Sequence, residues 1–152
     1  MKKLLIPTFL LLLALHVTAQ PKSDCQKQCQ QEEYNKKMVV EFYQQLFGDK
    51  DAEAILKYVK EDYIQHNPML PDGRDTLYKS VKIWFKNAPK DKVDFQRIVA
   101  DDDLVVLHIR SKMGNKTRAV VDIFRIQDGK IAEHWDVIQE VPEKSANPHP
   151  MF

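Results

Sequence analysis

The sequence predicts an α+β domain, with helices first and an antiparallel sheet after them. Two observations carry this. Between residues 32 and 87 apolar side chains recur at three and four, the helical period; from 93 to 140 they alternate, the strand period. The alternating segments are separated by Asp101-Asp102-Asp103, Gly114-Asn115 and Asp128-Gly129, short turn formers that join antiparallel neighbours. No repeat is visible, and 152 residues are enough for one domain with a real core.

The elements follow in order. Glu32 to Phe47 has helical spacing in Val39, Phe42 and Leu46, widened by Met38, Tyr43 and Phe47, with Gly48 suited to end it. Asp49 or Asp51 can cap a second helix that buries Ala54, Ile55, Tyr58 and Val59. Tyr63-Ile64-Gln65-His66-Asn67-Pro68 reads as an extended polar and aromatic loop, because Pro68 disfavours a helical Asn67. A third helix runs from Asp75 to Asn87 on Leu77, Val81, Trp84 and Phe85. The strands are Val93–Ala100, Leu104–Ser111, Arg118–Gln127 and Lys130–Glu140, in a meander. The proline-rich tail ends in Met151-Phe152, two large apolar residues that call for a docking place.

The first residues belong to targeting rather than to the fold. Met1-Lys2-Lys3, the apolar run Leu4–Leu15 and the small residues around Ala19 make a signal-peptide pattern, cleaved after Ala19. The apolar run is short for a membrane span, which needs ~20 residues, so no stable anchoring is expected after cleavage. Residues 20–31 are a polar leader, loose or the fraying start of a helix, and 32–152 are the domain. Cleavage removes two of 23 basic residues and none of 22 acidic ones, taking the net charge from +1 to −1. A near-neutral, periplasmic or secreted protein without a basic patch is not expected to bind nucleic acid. Cys25 and Cys29 fit either a disulfide, local or intermolecular, or two free thiols, and neither fits catalysis.

The strand Arg118–Ile126 is apolar on both faces, so it is central, and Asp122 in its middle is at least half buried. An isolated buried carboxylate is costly unless paired or protonated. The next strand offers partners in His134-Trp135-Asp136. A two-residue turn at Asp128-Gly129 would set Asp122 opposite Trp135; a three-residue turn with Gly129 left-handed would set it opposite His134. The second gathers the titratable groups on one face and is the one adopted here. Asp122 is then the general base, with His134 and His108 orienting it or sharing its proton. Tyr63, His66 and Asn67 hold an enolate oxygen, and Phe124 and Asp136 complete the binding face. The competing reading is a structural Asp122–His134 ion pair. His66, His108 and His134 lack the spacing of a zinc signature, so neither metal nor cofactor is expected. No nucleophile elbow, phosphate loop or dinucleotide fingerprint is present.

Five stretches carry a resemblance: Tyr63–Pro68, Asp72-Gly73-Arg74, Asp122-Ile123-Phe124-Arg125, Asp128-Gly129-Lys130-Ile131 and Glu133-His134-Trp135-Asp136. Together they resemble the SnoaL-like polyketide cyclase family of the nuclear transport factor 2-like superfamily. The ending from Ala146-Asn147 to Met151-Phe152 is similar to a subgroup described as SnoaL-like, aldol-condensation-catalysing. The resemblance implies a cone, with N-terminal helices packed in a curved antiparallel sheet, and a homodimer packed through the sheets. It implies cofactor-free removal of an acidic proton by an aspartate, with His108 and Asp122 as candidates for the family's site pair by strand position. The expected ligand is a small apolar carbonyl compound. The expected activity is that of a cyclase or aldol-type lyase or isomerase, with a non-catalytic ligand-binding dimer as the alternative.

Overall fold

The computed structural model describes residues 23–152; the signal-peptide expectation falls on residues outside these. Nine elements are described, with helices ahead of most of the sheet as expected and one unexpected strand, Val59–Gln65, set between the last two helices. They are α1 (Asp24–Tyr43), a π-helical turn (Gln44–Gly48), α2 (Glu53–Tyr58), β1 (Val59–Gln65), α3 (Arg74–Trp84), β2 (Asp94–Asp101), β3 (Leu104–Met113), β4 (Lys116–Gln127) and β5 (Lys130–Glu140). No helix among the described residues is long and apolar enough to cross a membrane.

Helix α1 starts eight residues before the expected Glu32, because Ser23 and Gln26 form a reciprocal capping box that satisfies the first free N–H groups. Most of the polar leader is therefore helix. Cys25 and Cys29 lie on it, exposed, as free thiols.

The sheet is five-stranded and open, in the order β1-β5-β4-β3-β2. Residues 59–65, read from the sequence as the end of a helix and a loop, are an edge strand running parallel to β5. Only Val59 and Tyr63 of its seven residues are buried, which hides the alternation. The helices cover one face. Val105, Leu107, Ile109, Val120, Phe124 and Ile126 from that face join Val39, Phe42, Leu46, Ile55 and Val81 in the core.

The β4–β5 hairpin takes neither expected register. Gln127 pairs with Lys130, so the turn has two residues, Asp128 and Gly129, both at positive φ as a type I′ turn requires. A bulge then adds one residue, since Arg125 pairs with Glu133 and Ile126 with Ile131. Asp122 consequently faces Asp136, and Phe124 faces His134. The shift of two from the adopted register preserves the faces, because strand side chains alternate with period two.

Candidate functional site

Asp122 is 4% exposed, in the middle of β4. Its Cα partners are Leu107 on β3 and Asp136 on β5. His134, two residues before Asp136, points from the same face and brings Nε2 to 2.9 Å from Asp122 Oδ1. From the opposite side the Tyr43 hydroxyl at the end of α1 donates to Asp122 Oδ2 at 2.9 Å. Each carboxylate oxygen of this buried group thus has a partner, which a carboxylate in a core requires.

The parallel edge strand completes the cluster. Gln65 is the register partner of His134, and its Oε1 lies 3.0 Å from His134 Nδ1. The same Oε1 accepts the Asn67 backbone N–H at 3.0 Å. A backbone N–H can only donate, so the atom facing His134 is the amide oxygen and Nδ1 must carry a hydrogen. A hydrogen must also lie between Nε2 and Asp122 Oδ1, since two bare acceptors at 2.9 Å would repel. Gln65 Nε2 donates to the Tyr63 hydroxyl oxygen at 2.9 Å. The Asn67 side-chain amide donates to both oxygens of Asp136, at 2.9 and 2.7 Å. The ring of Phe124 lies 4.9 Å from that of His134 and forms an apolar wall with Tyr43.

Both phenols are held protonated. Burial, then the charge of Asp122, raises Tyr43 well above the usual tyrosine value. Burial, then the charge of Asp136, raises Tyr63. They are hydrogen-bond donors across the working pH range.

One ligand atom each from Asp122, His134 and Asp136 lie within 4.8 Å of one another, so among the described residues these three could hold a cation. In the arrangement described, protein donors already occupy those positions, and a metal would have to displace the hydrogen shared by His134 and Asp122.

Six expected site residues therefore meet on the helix-covered face: Asp122, His134, Asp136, Tyr63, Asn67 and Phe124. Two do not. His108 pairs with Val121 and projects from the outer face, with Nδ1 3.0 Å from Arg97 Nη1 and its ring stacked 5.8 Å from Phe152. It is one residue out of phase with Leu107, the neighbour of Asp122. His66 also turns outward. It stacks on Trp135 at 4.3 Å and reaches Glu133 at 2.9 Å, while its backbone N–H bonds to His134 O. Sequence reasoning missed Tyr43 and Gln65. Tyr43 sits in an apolar helical stripe and reads as core. Gln65 was detectable, because Tyr63, Gln65 and Asn67 alternate as strand residues facing one side do.

Helices packed on a curved, unclosed five-stranded sheet make the nuclear transport factor 2-like fold. Residues 39–134, more than half of the chain, match the SnoaL-like domain family, and the chain belongs to it. Solved structures agree in fold. A nuclear transport factor 2-like protein of unknown function from Burkholderia xenovorans is 17% identical, with a TM-score of 0.61 over 76% of this chain and 90% of its own. A candidate polyketide cyclase from Acidithiobacillus ferrooxidans is 17% identical, with a TM-score of 0.57 over 69% and 87%. A candidate ketosteroid isomerase from Kribbella flavida is 17% identical, with a TM-score of 0.59 over 76% and 85%. No curated protein matches the chain in sequence.

Proposed function

We propose that the protein is a cofactor-free lyase or isomerase of the aldol or cyclase type, removing a proton beside the carbonyl group of a small apolar compound. The observation that carries this is the pairing of two carboxylates, Asp122 and Asp136, around His134 on an aromatic-walled face. Proton abstraction next to a carbonyl needs a base and a donor for the enolate oxygen, and the cluster contains both kinds of group. Two structural neighbours described as a candidate polyketide cyclase and a candidate ketosteroid isomerase have the same fold and names in keeping with such chemistry. The reading includes export, on the pattern of residues 1–19.

It also includes a homodimer. Val99, Val106, Ile123 and Trp135 form a continuous apolar row across the outer face of β2 to β5, and Val137 beside it is 66% exposed. The complete internal pairing of Asp122 favours a second reading, a ligand-binding dimer without turnover.

The test is exchange of C–H for C–D beside the carbonyl of 1-indanone and 2-cyclohexenone in D2O, followed by proton NMR. Exchange faster than in buffer supports the enzyme. Binding of such ketones without exchange would establish the second reading.

A further inference from the structure

The hydrogen bonds of the cluster separate committed groups from free ones. Asp122 has both oxygens engaged, one by the hydrogen shared with His134 and one by the Tyr43 hydroxyl, and it is almost fully buried. His134 is engaged at both ring nitrogens, by Asp122 and Gln65. Asp136 has a single neutral donor, the Asn67 amide, spread over both its oxygens. It is also the more exposed carboxylate of the two, being half-buried. The Tyr63 hydroxyl accepts from Gln65 through its oxygen, so its hydrogen remains free to donate. Gln65, which donates to the Tyr63 hydroxyl, also accepts the Asn67 backbone N–H, and the Asn67 side chain holds Asp136, so the two groups belong to one hydrogen-bonded run.

We propose that Asp136 takes the proton and Tyr63 donates to the developing enolate oxygen, while Asp122 and His134 are a fixed pair that positions them. This rests on the function proposed above and assigns roles within it. The C–H bond beside the carbonyl breaks, and its proton passes to an Asp136 oxygen. The electron pair forms a C=C bond, and the carbonyl π pair moves to the oxygen, which accepts the Tyr63 O–H. Return of the proton to another carbon gives an isomer. Attack of the enolate carbon on a second carbonyl gives an aldol product whose alkoxide takes the proton back. Asp136 is regenerated in both cases, with no redox change.

The same groups define the substrate class. Two carboxylates face one imidazole, and among the described residues no lysine or arginine bonds to Asp122, His134, Asp136, Gln65, Asn67 or Tyr63. A carboxylate or phosphate near the reacting carbon would be repelled, so the substrate is uncharged there.

Two measurements test the assignment. In ketone exchange, Asp136→Asn is expected to lose ~10²–10⁴-fold and Tyr63→Phe ~10²–10³-fold. Asp122→Asn, with folding checked by circular dichroism, retains measurable exchange. The second uses 4-nitrophenolate, an anion shaped like an enolate, titrated by absorbance. Asp136→Asn removes a facing negative charge, as proton capture does, and should bind the phenolate about tenfold or more tighter than the unmodified protein. Adding Tyr63→Phe should cancel about tenfold of that, the worth of one hydrogen bond to a charged oxygen. Full exchange in Asp136→Asn with none in Asp122→Asn would overturn the assignment and leave the proposed function standing. Absence of exchange in the unmodified protein would refute the function and the catalytic roles with it, whereas exchange in the unmodified protein with phenolate affinities indifferent to both substitutions would overturn the assignment alone.

Discussion

Replacing Tyr43 with phenylalanine isolates one bond of the cluster. The ring stays, with its contacts to Phe47, Phe95 and Phe124, so no cavity opens. The lost group is the hydroxyl 2.9 Å from Asp122 Oδ2, between residues 7% and 4% exposed. Water does not readily replace it there. A hydrogen bond to a charged group contributes ~1.5–3 kcal/mol. For a domain of this size that is roughly 5–10 °C in Tm. In an Asp122→Asn background the partner is neutral, and the same change should cost only ~1 kcal/mol. The assay is urea unfolding at neutral pH of the two single variants and the double variant, read as a double-mutant cycle. A cost below about 0.5 kcal/mol for Tyr43→Phe, or an equal cost in both backgrounds, would refute the claim that this hydroxyl holds the buried carboxylate.

Gly129→Ala should destabilise by ~1–2 kcal/mol in the same assay, because Gly129 sits at φ +71° beside Asp128 at +53°. The bond from His66, then those from Arg125, hold the Glu133 carboxyl below its ordinary value of 4.5. A depressed folded-state value means stability present above about pH 4.5 and lost as the pH falls through the lower folded value. Glu133→Gln should therefore lower Tm at pH 7 and flatten its decline between pH 5 and 3. Deleting Met151 and Phe152 should cost no more than ~1 kcal/mol and leave ketone exchange unchanged. Phe152 packs on His108 and Arg110, on the face opposite the cluster; a loss of exchange would contradict that placement.

What could be read from the sequence follows from where periodicity is strong. The meander was legible to within a few residues, since β3 and β4 alternate under a buried face and Asp128-Gly129 demands its turn. Asp122, His134 and Asp136 fell on one face because parity survives a two-residue slip, although the bulge at Ala132 could not be foreseen. His108 failed because parity along one strand says nothing about which face meets the next strand; the β3–β4 register decides that. His66 failed because β1 was not recognised as a strand. An edge strand buries too little for its pattern to stand out, and its polar inward residues, Gln65 above all, look like loop chemistry. Tyr43 was placed correctly on its helix, but only the folded packing brings its hydroxyl to Asp122, 79 residues away.

The parallel pairing of β1 with β5 also bears on the order of folding. Strands β2 to β5 join through short hairpins and can zip locally, whereas Gln65 and His134 are 69 residues apart. Closing that large loop carries an entropy cost that the neighbouring contacts must first offset. A chain caught with the meander formed and β1 undocked would have a near-native sheet, yet lack Tyr63, Gln65 and Asn67 at the cluster. Competence to bind ligand should thus emerge later in refolding than sheet structure, and amides of β1 should exchange with solvent sooner than those of β4.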